Sequence, residues 1–213
     1  MMFIELFVPQ GALSEAQRRR LSERLITEFM TEAEEQSAPT EVIEAGRAIW
    51  QVVVHEPDTW VAGGRAIDAG EPPRYVVRVS VSAAWRKEMS AEVISRVTRI
   101  LAEADQNPQR LYQEPVAWVH VIGVPEGSCG AFGQVMTSTD IVKLITKPFR
   151  ESPDREALIK AAPPGTAIDP ICGMTVPLTE TTLTLEQNGT TYAFCSAGCR
   201  AVFVEEQRAA SPE

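Results

Sequence analysis

Basic residues and histidines are scarce in this 213-residue chain, where 20 Lys and Arg stand against 29 Asp and Glu, 2 histidines are present and the formal net charge is −9. A surface that grips a polyphosphate backbone needs the opposite balance, so nucleic acid is not an expected partner. Long apolar runs are missing too. None approaches the roughly 18–20 residues that cross a bilayer, and the amino end reads as a strand and a charged helix rather than a cleavable signal. No membrane partner is expected, and the expected location is cytoplasmic. There is no phosphate-binding loop, nucleophile elbow, zinc-protease His-Glu motif or dinucleotide fingerprint. The glycines of "GVPEGSCG" lack both the lysine and the strand-to-helix context, and read as a turn. Cysteines number 4, and three of them fall within 28 residues, from Cys172 to Cys199. A secreted disulfide framework would be spread through the chain, so metal or thiol chemistry is the better class.

What is present is enough for a core. With 44% hydrophobic residues, the length suggests one domain of roughly 130–150 residues plus a smaller one. "FIELFVP" (residues 3–9) reads as a strand, and the helix that follows has Ser14 as N-cap, Gln17 as its capping-box partner and Leu21, Leu25 and Phe29 on one face. After the acidic stretch from Glu32 to Glu35, "AIWQVVVHEP" is a second strand and "DTWVAGG" a glycine turn. The order then returns. "YVVRVSVS" alternates Val77, Val79 and Val81 against Arg78 and Ser80, and "MSAEVISRVTRILAEA" puts Val93, Val97 and Leu101 on one stripe behind a cap at Ser90. The strand "AWVHVIGVP" and the turn "EGSCGAFG" close the second unit.

Matching Trp50 with Trp118 and Gly64 with Gly133 gives an offset near 68 residues, with about 74 at the first strands. Two βαβ units of this kind merge into one four-stranded sheet with both helices on a single face, leaving the other face to be covered by further copies of the chain. Counted from their matched tryptophans, His55 and His120 point to opposite faces. The bland reading of each is a hydrogen-bonded structural histidine, and Cys129, in the second glycine turn, reads as a packed or surface thiol.

"MMFIELFVP" with its helix, and the strand ends "VVVHEPDTWVAGG" and "VHVIGVPEGSCGAFG", resemble the tautomerase superfamily, in particular members with two fused βαβ units such as macrophage migration inhibitory factor. The resemblance covers residues 1 to about 140. It implies a homotrimer, pockets at the amino ends of the starting strands near subunit boundaries, and a small carboxylic acid as ligand. The family's base is an amino-terminal proline, and positions 1 and 2 are Met1 and Met2. The remaining candidate base is the α-amine of Met1, whose reference pKa near 8 desolvation or a cation can lower. Arg78 is the first candidate to hold a carboxylate or enolate, ahead of Arg74 and Arg47; the competing reading makes each an ordinary surface or interface arginine.

"STDIVKLITKPF" (residues 138–149) is an amphipathic segment with Ile141, Leu144 and Ile145 buried, ending where Pro148 removes an amide donor. "RESPDREALIKAAPPGTAI" reads as a linker, with Pro163, Pro164 and Gly165 as its breaker. The forty or so residues beyond are too few for an apolar core alone, which makes a metal an attractive stabiliser. "TLTLEQ" and "TTYAF" flank Asn188-Gly189, a two-residue hairpin signal. Cys195 ends the second strand, and "SAGCRAVFVEEQR" continues as a helix with Cys199 one turn on and Val202 and Phe203 toward the hairpin. Free amides at the helix start favour thiolate. Metal ligation, thiol redox chemistry and inert buried cysteines are the three readings, and ligation is preferred.

"DPICGMTV", the hairpin and "YAFCSAGCRAVF" resemble the YHS domain, a small module related to the treble-clef-like TRASH modules, over residues 168 to about 206. The resemblance implies a metal held by Cys172, Cys195 and Cys199. Three thiolates leave a tetrahedral ion one ligand short. Asp169, Met174, water or another chain completes it: an oxygen suits Zn(II), a thioether Cu(I).

The expected fold class is α+β, a duplicated βαβ tautomerase-like domain at 1–149 (repeats about 1–66 and 74–135), a linker at 150–167, and a treble-clef-like hairpin-plus-helix metal module with tail at 168–213. The expected function is binding of one Zn or Cu ion per chain on an oligomeric tautomerase-like platform without the amino-terminal proline. The alternatives are an isomerase of enol-containing small carboxylic acids using Met1, and a metal sensor or chaperone with a protein partner.

Overall fold

The computed structural model describes residues 2–68 and 70–210, so the candidate base Met1 lies outside the described residues. The elements run in the order β1 (Phe3–Phe7), α1 (Glu15–Thr27), α2 (Glu32–Ser37), α3 (Thr40–Ala48), β2 (Gln51–His55), β3 (Val61–Ala62), β4 (Arg65–Ala66), β5 (Tyr75–Ser82), α4 (Ala83–Ala104), α5 (Arg110–Gln113) and β6 (Ala117–Val124). They continue as β7 (Gly130–Ala131), β8 (Gln134–Val135), α6 (Ser138–Arg150), α7 (Arg155–Lys160), β9 (Thr166–Ile168), β10 (Thr175–Pro177), β11 (Leu183–Gln187), β12 (Thr190–Phe194) and α8 (Ala197–Ala210). No helix among the described residues is long and apolar enough to cross a membrane.

Two compact units result. One is Met1–Phe29 with Ile49–Pro125; the other is Met30–Ala48 with Glu126–Glu213. They do not part at the expected linker. Residues 150–167 fold into α7 and the start of β9, and the second unit takes in both α6 and the α2–α3 segment that interrupts the first repeat. The physical reason is the stripe on α6: Ile141, Val142 and Phe149 are buried, and the helix packs against α3 and α8.

In the first unit the sheet order is β2-β1-β5-β6. Each repeat contributes a parallel pair, β1 with β2 and β5 with β6, and the repeats join antiparallel through β1 and β5. This is the merged βαβ sheet read from the sequence, and its mixed α+β character follows. Ile4, Leu6, Val77, Val79 and Val81 point to one face, where Leu21 and Leu25 of α1 and Val93, Val97, Ile100 and Leu101 of α4 cover them. The Ser14–Gln17 capping box opens α1 as expected. Helix α4 begins earlier than expected. Ser82 caps it at the end of β5, while Ser90 lies inside and returns its hydroxyl to the Arg86 carbonyl at 2.5 Å.

Among the described residues, no helix of the first unit covers the other sheet face. Its cross-strand rows, read from β2 to β6, are Gln51–Phe3–Ser80–Ile122, Val53–Glu5–Arg78–His120 and His55–Phe7–Val76–Trp118. Both histidines therefore share this face, contrary to the tryptophan alignment. Trp50 packs on the core side whereas Trp118 is 57% exposed on the open side, so the two tryptophans are not equivalent and the count from them shifts by one residue.

A buried ion pair closes the unit near β5. Arg110 donates from Nη2 to Asp105 Oδ2 at 2.6 Å and to the Pro73 carbonyl at 2.7 Å, and Tyr75 donates its hydroxyl to the same Oδ2 at 3.4 Å. Burial, with the Asp105 charge, pushes the Tyr75 phenol up.

In the second unit α3 packs against α6, where a Cβ added at Gly46 would make an ordinary 3.6 Å contact with Ile145 Cγ2. Helix α6 does not end at Pro148 but continues to Arg150, because a proline so close to the carboxyl end forfeits a single intrahelical bond. The β11–β12 hairpin turns at Asn188 (φ 51°) and Gly189 (φ 74°), the left-handed pair expected of Asn-Gly.

Replacing Arg110 with Ala strips the buried Asp105 of its cation and is expected to cost about 3–5 kcal/mol. Urea unfolding followed by tryptophan fluorescence, with all 4 tryptophans in the first unit, measures it directly.

Candidate metal centre

The site is built by two segments of the second unit. Strands β9 and β10 pair at Ile168 and Thr175, which closes residues 169–174 into a tight turn. The Asp169 amide donates to the Met174 carbonyl at 2.9 Å, and the Gly173 amide to the Asp169 carbonyl at 2.9 Å. Inside the turn Asp169 Oδ1 accepts the amides of Ile171 at 2.8 Å and Cys172 at 3.3 Å. This is the local habit of an Asp that precedes a turn. Its Oδ2 reaches the other segment and accepts the Cys195 amide at 2.8 Å.

That second segment runs from β12 into α8. Cys195 follows the strand directly, Ser196 Oγ accepts the Cys199 amide at 3.2 Å as a cap, and Cys199 sits in the first turn. Val202 and Phe203 anchor the helix, with the Phe203 ring 4.7 Å from Tyr192 and 5.4 Å from Phe194.

One potential ligand atom from each of Asp169, Cys172, Cys195 and Cys199 lies within 4.8 Å of every other. Cys195 Sγ is 3.5 Å from Cys172 Sγ and 3.7 Å from Cys199 Sγ. Thiolates bound at about 2.3 Å to one tetrahedral ion would stand about 3.8 Å apart. The observed spacing is close to that and well beyond a disulfide of about 2.0 Å; all the cysteines are free. The donor set fits a metal.

Charge is distributed unequally. Hydrogen bonds from Cys172 and Cys199 hold the Cys195 thiol well below the ordinary range, and the helix start adds amide dipoles. Cys172 is pushed up, chiefly by its bond to Cys195 and then by Cys199 and burial. Burial first, and the Cys195 charge next, raise the fully buried Asp169 carboxyl to about 7. The four acidic groups of this cluster, packed this closely, cannot all ionise without a cation to offset them.

Of the expected ligands, the structure brings the three cysteines and Asp169 together. Met174 is half-buried at the far end of the turn, where its carbonyl serves Asp169. Three supports escaped the sequence reading. Arg155 of α7 donates from Nε and Nη2 to the Pro170 carbonyl at 3.0 and 2.7 Å. Phe149 and Pro39 press on Gly173, whose φ is +75° and whose added Cβ would stand 2.6 Å from both. The turn around Cys172 is readable from its Pro-Ile-Cys-Gly-Met run; nothing in the sequence announced the contacts from α6, α7 and the residue before α3.

The candidates for acid chemistry lie in the first unit, apart from Arg47. Arg78 is exposed on the open sheet face with its guanidinium 5.1 Å from the Phe7 ring centroid. His55 stacks on that ring at 4.3 Å and its Nε2 is 3.1 Å from Glu5 Oε1. Arg47 pairs with Glu35 in the second unit, Arg74 lies in the loop before β5, and Cys129 is half-buried beside the β7–β8 hairpin.

Residues 167–209 match the YHS domain family. No curated protein matches the chain. Among solved structures, the chain is similar to N1, a member of the cis-3-chloroacrylic acid dehalogenase family, at 13% identity over 76% of this chain and 92% of that one, with a TM-score of 0.45. It is similar to a native fused 4-OT at 18% identity, covering 62% and 94% with a TM-score of 0.43. A macrophage migration inhibitory factor-like protein from Entamoeba histolytica is similar at 7% identity, covering 63% and 98% with a TM-score of 0.43. The carboxy-terminal segment, residues 167–209, is thus YHS-like and carries a candidate metal site.

Gly173→Ala is expected to destabilise the second unit by about 1–3 kcal/mol, because the new methyl overlaps Phe149 and Pro39 and the backbone stays left-handed. Hydrogen exchange of the β9–β10 amides would report the loss.

Proposed function

We propose that the chain is a metal-binding protein that holds one Zn or Cu ion through Cys172, Cys195 and Cys199, on an oligomeric tautomerase-like platform. The observation that carries this reading is the convergence of four ligand atoms within 4.8 Å, three of them sulfur, in a segment that matches the YHS family. Asp169 is the preferred fourth ligand, since its carboxylate already belongs to the cluster. Zn(II) is then favoured over Cu(I), because three thiolates and an oxygen suit the harder ion. A sensor or chaperone that passes its ion to a protein partner shares these ligands and differs in exchange rate.

The isomerase alternative would use the Met1 amine as base and Arg78 to hold a small carboxylate. Arg78 alone among the described residues speaks for it, and its guanidinium is already laid over Phe7. The metal reading has four groups converging where the acid reading has one.

A homotrimer would cover the open sheet face. Trp118, Ile122 and Val53 are 57%, 41% and 39% exposed there, on a face no helix of the unit protects.

Metal analysis of the full chain should find one ion, and the Cys172, Cys195, Cys199 triple serine variant should retain none. Unchanged stoichiometry in that variant would move the site elsewhere. Loss of Zn affinity in Asp169→Asn with little change in Met174→Leu would support the oxygen ligand; the reverse pattern with Cu(I) would support the thioether. Because Cys172 is pushed up and must ionise to bind, metal uptake should release protons and apparent affinity should rise with pH. A titration in weak buffer reads both.

Trp118→Asp is expected to shift the chain from trimer to monomer in light scattering. A wild-type monomer at micromolar concentration would remove the assembly proposal.

A further inference from the structure

We infer that Arg155 is a positioning residue of the metal centre, fixing the Cys172 turn and the Cys199 helix relative to one another from outside the YHS-like segment. The inference rests on the metal reading above.

The Asp169–Met174 turn satisfies most of its backbone internally, but the Pro170 carbonyl points outward and receives both Nε and Nη2 of Arg155, at 3.0 and 2.7 Å. A planar guanidinium that gives two donors to one oxygen fixes direction as well as distance, which a flexible ammonium does not. The same guanidinium stands 4.0 Å from Glu206 on α8, and Glu206 is held from the other side by Arg150 of α6 at 2.6 Å. Glu206 lies seven residues, about two helical turns, beyond Cys199. One side chain of α7 thus hydrogen-bonds the peptide between Asp169 and Cys172 and faces, across 4.0 Å, a carboxylate on the helix that carries Cys199.

Two consequences follow for the ligands. Cys172 and Cys199, 3.5 and 3.7 Å from Cys195 Sγ, must lose their protons to bind an ion, and the turn would relieve the repulsion among the resulting thiolates by moving away from α8. Arg155 opposes the movement. It also brings a full positive charge to the residue next to Asp169, where it offsets the excess negative charge that three thiolates and a carboxylate retain around a divalent or monovalent ion. Both effects act through the ligands, so their signature is affinity and ligand field rather than global folding.

The test uses the full chain and Co(II) as a spectroscopic probe, with affinity measured against a chromophoric chelator. Arg155→Gln is expected to weaken Co(II) by about 10–100-fold and to alter its thiolate charge-transfer and ligand-field bands. Arg155→Lys, which keeps the charge and one donor, should fall between Gln and wild type. Arg150→Gln breaks the half-buried pair with Glu206 but leaves the Arg155–Pro170 contact in place, and should change affinity by less than about threefold. Equal affinity and spectrum in wild type and Arg155→Gln would overturn the inference, as would an equal loss in Arg150→Gln. Should Arg155→Gln not fold, Arg155→Lys decides, and a wild-type affinity and spectrum there would overturn it. A wild-type chain that takes up no Co(II) would instead defeat the metal reading itself.

Discussion

The candidate centre depends on one buried carboxylate. Asp169 accepts amides from Ile171 and Cys172 on its own turn and from Cys195 at the start of the helical segment, so a single side chain joins the two halves of the ligand set. An unpaired buried carboxylate would be costly, and three amide donors are what make its burial tolerable. The same placement leaves a negative group against three thiols, and the raised carboxyl shows that burial and Cys195 together oppose its ionisation. A cation resolves that conflict. Without one, the cluster has to keep protons on most of its members.

Around this cluster, the second unit spends much of its structure on holding the turn. Pro39 and Phe149 close on Gly173, and Arg155 takes the outward carbonyl of Pro170. These residues come from the helical insertion in the first repeat, from α6 and from α7, and all lie outside the segment that matches the YHS family. A short module with few apolar residues gains here the packing that its own length denies it. The first unit solves the opposite problem. Its sheet buries one face fully under α1 and α4 and leaves the other with Trp118, Ile122 and a Glu5–His55 pair. A sheet with one apolar face covered and one mixed face open is complete in its core and unfinished in its surface.

Much of the fold was legible because it is written in local periodicities. Alternation at Val77, Val79 and Val81, the Ser14–Gln17 box and the Asn188-Gly189 turn each specify geometry within a few residues, and each appears as read. The errors came where a local signal had two outcomes. Ser90 looked like a cap and is interior; Pro148 looked like a stop and is carried through the last turn of α6. The tryptophan alignment failed for a different reason. In a strand one residue of slip exchanges the faces, so Trp50 and Trp118 mislead about His55 and His120 even though both strands are where they were expected.

By itself the sequence determined the donors on offer: three cysteines, one before a glycine turn and two bracketing a helix start. It also determined the duplicated strand-helix-strand order. Only the tertiary structure decided that Asp169 faces the thiols while the Met174 carbonyl turns back to it, that both histidines share the open sheet face, and that α6 and the inserted α2–α3 segment belong with the candidate metal centre. The reason is range. Caps, turns and alternation are settled by neighbours a few residues away, whereas the partners of Pro170 and Gly173 lie up to 134 positions off, at Arg155, Phe149 and Pro39, and are chosen by how amphipathic helices bury their stripes.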